Sequence, residues 1–121
     1  MTRLKNQADL DGIRASARVL REALDLVRAA VVPGVTTAEL DAIASQVIAD
    51  HGAKAAFLGY MDYPATLCVS VNEEVIHGIP GERTLNDGDI VSLDVGVELR
   101  GYFSDAACTV PVGKIDGQVA D

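Results

Sequence analysis

Two aspartates, Asp94 and Asp105, lie eleven residues apart in segments that read as the arms of one β-hairpin, Ile90–Val97 and Tyr102–Val110. With the turn centred between Leu99 and Arg100, residues whose numbers sum to 199 face each other, and Asp94 opposes Asp105. Directly opposed residues on antiparallel strands have Cβ atoms roughly 4.5–5.5 Å apart. Two carboxylates that close repel unless a proton or a cation lies between them, and divalent metal ions bridged by aspartates would resolve the conflict. The alternative is a pair of solvated aspartates near a turn. Leu-Arg is a poor type I′ pair, and a longer loop with Gly101 at positive φ would shift the register by one and part the two side chains onto opposite faces. The first strand itself favours a site. Val91, Leu93, Val95 and Val97 form one apolar face and leave Asp94 on the other between Ser92 and Gly96, a carboxylate ringed by small residues.

The elements that must position this pair are legible from periodicity. From Gln7 to Val31, apolar residues fall at Leu10, Ile13, Ala17, Leu20, Leu24, Val27 and Val31, steps of three and four that mark one helical face. Asn6 is the expected N-cap, with Asp9 in the first turn where the helix dipole favours negative charge, and Pro33-Gly34 ends the helix. A coiled coil fits the spacing too, but an amphipathic helix lying on a sheet fits a run only one helix long. Thr36-Thr37-Ala38-Glu39 is a capping box. It opens a second helix with Leu40, Ile43, Val47 and Ile48 inward, closing at His51-Gly52 with His51 exposed at the helix end.

Beyond Gly52 the pattern alternates. Leu67–Val71 is an expected strand, Asn72-Glu73-Glu74 interrupts it before Val75-Ile76-His77, Gly78–Gly81 is a loop and Asn86-Asp87-Gly88-Asp89 a turn. The order predicts an α+β layer, two helices on one face of an antiparallel sheet, as a single domain over residues 1–121. After Gly113 only a polar stub follows, and nothing covers the sheet's open edge, so the sequence reads as part of something larger.

Composition sets the limits. The 121 residues are 49% hydrophobic and only 4% aromatic, so aliphatic side chains and alanine must fill the core. A net charge of −8 without a Lys/Arg cluster argues against a nucleic-acid surface. No apolar run has the length of a membrane span, and the first twenty residues lack the apolar core of a secretory signal. Cys68 and Cys108, each within an apolar strand, are expected as free thiols rather than a disulfide, consistent with a cytoplasmic protein.

The blocks Val71-Asn72-Glu73-Glu74-Val75-Ile76-His77-Gly78-Ile79-Pro80, Leu85–Gly96, Gly101-Tyr102-Phe103-Ser104-Asp105 and Pro111-Val112-Gly113 resemble type I methionine aminopeptidase. So do the upstream Pro33–Asp41 and Ala56-Phe57-Leu58-Gly59-Tyr60 stretches. The resemblance runs from about Leu4 to Gly113. The Asp-Val-Gly and Gly-Tyr-x-Ser-Asp stretches are also similar to Xaa-Pro aminopeptidases of the same pita-bread fold, while the Asn-Glu-Glu-Val-Ile-His-Gly-Ile-Pro block favours the methionine enzyme.

The resemblance implies half of a pita-bread fold and a two-metal hydrolase that removes the initiator methionine from a nascent chain. It places Asp94 as a ligand chelating one ion and Asp105 as the carboxylate bridging both, with Co, Mn, Fe or Zn as the divalent metal. His77 matches the histidine that hydrogen-bonds the scissile amide or the tetrahedral intermediate. Phe57, Tyr60, Tyr63 and Cys68 match the methionine side-chain pocket. Met61 stands where some members carry a histidine at the pocket mouth, which removes any auxiliary role for that histidine. Three of the family's five metal ligands and its second catalytic histidine belong to a C-terminal half with no counterpart in this sequence. The resemblance therefore implies weak metal binding and little or no turnover by this half alone, with self-association as a twofold dimer through the exposed face. The other readings are a non-catalytic half-scaffold that only folds and associates, and a binding relative without catalysis.

Overall fold

A computed structural model describes residues 6–56, 65–72 and 79–113. Its elements are α1 (Gln7–Ala29), α2 (Thr37–Asp50), β1 (Lys54–Ala55), β2 (Leu67–Val71), β3 (Ile90–Leu99) and β4 (Tyr102–Pro111). Both helices start at the N-caps expected of them, and α1 proves to open on a capping box as α2 does. The Asn6 side chain accepts from the Asp9 N–H at 2.9 Å, and the Thr36 hydroxyl accepts from the Glu39 N–H at 3.2 Å while Glu39 Oε1 accepts the Thr36 N–H at 2.9 Å. These bonds satisfy amides that the first helical turn leaves without partners. α2 ends with His51 as C-cap and Gly52 in the left-handed region at φ 70°. His51 is exposed, as expected, and its Nε2 lies 3.0 Å from Glu22 Oε1 of α1.

β3 is the spine of an antiparallel sheet. β4 runs along one side of it, and β1 and β2 pair with successive stretches of the other. Alternation along β3 sends Val91, Leu93, Val95, Val97 and Leu99 toward the helices. There they meet Leu67, Val69 and Val71 of β2 and Val27, Leu40, Val47 and Ile48 of the helices in one aliphatic core. Each of these side chains contributes on the order of 1.5–3 kcal/mol by leaving water.

Two expectations are corrected. The inward face of α1 holds in its C-terminal half, where Leu20, Leu24 and Val27 are buried, with Val31 buried just beyond the helix, but not at the start. Leu10 is 37% exposed and Ala17 faces solvent, while Asp9 and Ser16 are buried. The cause is the tip of the β3–β4 hairpin, which lies against this part of the helix. The Tyr102 hydroxyl donates to Asp9 Oδ1 at 2.9 Å, and Ser104 Oγ lies 2.9 Å from Ser16 Oγ. Specific polar partners from the hairpin turn the helix away from the apolar pattern.

The second correction is the hairpin register. The turn residues are Arg100 and Gly101, both at positive φ (53° and 87°), the signature of a type I′ turn. A turn on Leu99-Arg100 would force Leu99 into the left-handed region, where side chains with a Cβ are strained, whereas Gly101 enters it freely. Paired residues therefore sum to 201, a slip of two from the expected pairing. Leu99 faces Tyr102, Gly96 faces Asp105, and Asp94 faces Ala107.

Candidate metal centre

A slip of two preserves the side to which each residue points, because side chains alternate with period two. Asp94 and Gly96 share the face of β3 remote from the helices, and Asp105 pairs with Gly96. Asp105 therefore projects from the same face as Asp94, at a diagonal position instead of the directly opposed one. Diagonal neighbours in a sheet are roughly 7–8 Å apart. That spacing removes the severe repulsion anticipated for a facing pair and leaves room for cations between the carboxylates.

The surroundings are small. Gly96 stands across from Asp105, and Ala107 and Cys68 flank Asp94 from β4 and β2. Asp94 is half-buried and Asp105 exposed. Farther along the same face, Ser92 Oγ and Thr109 Oγ1 lie 3.4 Å apart. Two carboxylates form a hard, anionic oxygen donor set of the kind divalent cations select. The residues present fit such an ion but do not complete its shell: among the described residues no group of three or more His, Cys, Asp and Glu is placed to hold a metal.

Cys68 is buried on this face, directly opposite Asp94. Cys108 pairs with Leu93 and points the other way, toward the helices, where burial raises its thiol pKa against a small opposing pull from Arg28. The sheet thus separates the two thiols, and both are free, as expected. Phe57, Tyr60, Met61, Tyr63 and His77 lie outside the described residues.

Sequence reasoning missed the supports of this face. Asp41 Oδ1 of α2 accepts the backbone N–H groups of Thr66 and Leu67 at 2.9 and 2.8 Å, fixing the start of the strand that carries Cys68. Ser16 is fully buried under the β3–β4 pair. Partners 25 and 88 residues away leave no local signal for Asp41 or Ser16. The only hint for Ser16 is a hydroxyl residue one position from an apolar stripe.

Among the described residues no helix is long and apolar enough to cross a membrane. Comparison with known proteins places these features in a family. A family model for metallopeptidase family M24 matches residues 11–121. The methionine aminopeptidase of Clostridium perfringens is 52% identical over 112 residues, covering 93% of this chain and 45% of that protein. The crystal structure of methionine aminopeptidase from Rickettsia prowazekii superposes with a TM-score of 0.89 at 36% identity, over 95% of this chain and 46% of the other. That from Thermotoga maritima does so with 0.89 at 38% identity, over 96% and 47%. A Xaa-Pro dipeptidase from Bacillus anthracis, at 24% identity and a TM-score of 0.77, shares the fold alone. The chain spans about half the length of the curated relatives it matches. With two helices on one antiparallel sheet of the pita-bread type and a family model over nearly its whole length, the chain belongs to metallopeptidase family M24.

Proposed function

We propose that this chain supplies the N-terminal half of a methionyl aminopeptidase, working in the cytoplasm on the N-termini of nascent proteins. The observation that supports it best is the projection of Asp94 and Asp105 from one face among Gly96, Ala107 and Cys68. In this reading Asp94 holds one divalent ion and Asp105 bridges two, with Co, Mn, Fe or Zn as the metal. Bound ions of this kind supply a nucleophilic water near neutral pH and Lewis acidity at the scissile carbonyl. Asp105 is exposed on the face of the sheet away from the helices. Cys68, buried beside Asp94, offers an apolar side chain suited to a thioether, and Phe57, Tyr60 and Tyr63 are assigned to the same methionine pocket. In this reading His77 hydrogen-bonds the scissile amide or the tetrahedral intermediate.

Two carboxylates hold a hydrated ion weakly, with a Kd on the order of millimolar. Residues 1–121 are accordingly expected to bind Mn²⁺ with that affinity and to hydrolyse a Met-Ala peptide at background rate. Titration of Mn²⁺ followed by paramagnetic broadening tests this, with Asp94→Ala and Asp105→Asn each abolishing the broadening around β3 and β4. Unchanged broadening in both variants would remove the site, and robust turnover by the purified chain, lost in Asp105→Asn, would overturn the assignment of a half-site. The second reading, a half-scaffold without catalysis, draws support from the small donor set. It predicts no metal response at all.

A further inference from the structure

We propose that Ser16 is a positioning residue for Asp105, acting through the backbone of the hairpin from the opposite side of the sheet. The inference rests on the metal reading above only for its functional meaning; its geometric content stands separately. Ser16 is completely buried, in a helix face otherwise lined by Val19, Leu20, Ala23 and Val27. A hydroxyl in such surroundings is costly unless hydrogen-bonded. Its Oγ lies 2.9 Å from Ser104 Oγ and donates toward the Val97 carbonyl at 3.4 Å. With the Ser16 proton directed at Val97, Ser104 donates to Ser16, so one hydroxyl from α1 joins both strands.

The place of that bridge is what matters. Val97 and Ser104 are paired with each other, and the next pair along the hairpin is Gly96 and Asp105. Ser104 and Asp105 are consecutive, so their side chains leave opposite faces of the same stretch of backbone. Among the described residues β4 pairs only with β3, and Gly96 offers no side chain to buttress Asp105 on the outer face. Beyond the ladder itself and the packing of Ala106 against the core, the Ser16 bridge underneath ties β4 to β3 at this point. Tyr102, two residues earlier and tied to Asp9, fastens the hairpin tip to the same helix.

The test compares Ser16→Ala, Ser104→Ala, the double variant and Val27→Ala in residues 1–121. Val27→Ala serves as a control for loss of stability from the same helix at a buried site away from the bridge. Mn²⁺ affinity is read by titration and hairpin order by amide hydrogen exchange. Ser16→Ala is expected to weaken Mn²⁺ binding about tenfold, the low end of what loss of a supporting partner costs a metal site. Ser104→Ala should do the same, and the double variant no more than either, since both remove one bridge. Val27→Ala should leave Mn²⁺ affinity within about twofold, as expected for a distant independent site. Equal weakening in Ser16→Ala and Val27→Ala would reduce Ser16 to a structural role and overturn the proposal. If Asp94→Ala and Asp105→Asn show that the metal reading itself fails, exchange decides. Faster exchange confined to Val97 and Ser104, the hydrogen-bonded pair next to Gly96 and Asp105, upholds the positioning role, and uniform acceleration that includes Leu93 and Cys108 defeats it.

Discussion

Asp89 closes the loop that leads into β3, and it does so with one charged group. Its Oδ2 accepts the Asn86 N–H at 2.8 Å, and its Oδ1 accepts from Asn72 Nδ2 at 3.1 Å. Asn72, held at φ 57° just after β2, uses its Oδ1 to accept the Ile90 N–H at 2.9 Å. The backbone N–H of Asn86, then the Asn72 amide, hold the Asp89 carboxyl below its ordinary 3.8, with Arg83 adding a smaller pull. A carboxyl whose pKa falls on folding stabilises the native state above its unfolded value and loses that contribution as pH drops through the folded one. Asp89→Ala should therefore lower the urea midpoint near neutral pH, and the gap from wild type should close as pH falls below 3.8. A gap of constant size across that range would show that the charge is not what holds the loop. The turn at Asn86–Asp89 was legible because its residues are local. Asn72's part in it was not, since the partner is 17 residues away. The same limit hid Asp41, whereas Asp94 and Asp105 stood out by type and by the small residues beside them.

At the scale of elements, the strands β2 to β4 and the helix starts were legible because N-caps, the Thr36–Glu39 capping box and period-two alternation act within a few residues, whereas the two-residue β1 carries no such signal. The inward face of α1 was not, because a neighbouring hairpin decides it. Gly12 shows the fit directly. A Cβ at this position would fall inside van der Waals contact with the Tyr102 ring, whose hydroxyl is anchored on Asp9 and limits how far the ring can move. Gly12→Ala thus gains roughly 1 kcal/mol of helix propensity but forces an overpacked contact costing about 1–3 kcal/mol. A net loss of stability of about 1 kcal/mol is expected in urea unfolding. In a Tyr102→Ala background the clash is gone, and the same Gly12→Ala change should become stabilising by up to about 1 kcal/mol. If the sign does not reverse, the helix and hairpin are not in the close contact that turns Asp9 and Ser16 inward. The register error has a related origin. Alternation fixes which face a residue takes but leaves slips of two open, and only the positive φ at Arg100 and Gly101 selects among them.

For the whole molecule, the face that carries Asp94 and Asp105 also bears Ile90, 39% exposed, and Phe103, 63% exposed, at its two ends. The proposed occupant of this face is a second copy related by a twofold axis, with Ile90 and Phe103 as its apolar contacts. Charge opposes it: the net charge is −8, and a twofold brings like acids toward each other. The balance has a measurable signature. Repulsion between exposed charges is screened over roughly 8–10 Å at 0.1–0.15 M salt, whereas apolar contact is not. Dimerisation of residues 1–121 at tens of micromolar should therefore strengthen as sodium chloride is raised, and Phe103→Ser should weaken it at every salt concentration. Sedimentation equilibrium separates the outcomes. A monomer under all conditions removes the dimer, and a dimer that dissociates with added salt would mean ion pairs hold it in place of the apolar face. Phe103 sits at the hairpin tip and Asp105 two residues along the same strand, so dimer contact and metal access share one surface. Salt that drives association should consequently lower the apparent affinity for Mn²⁺ in the wild type more than in Phe103→Ser.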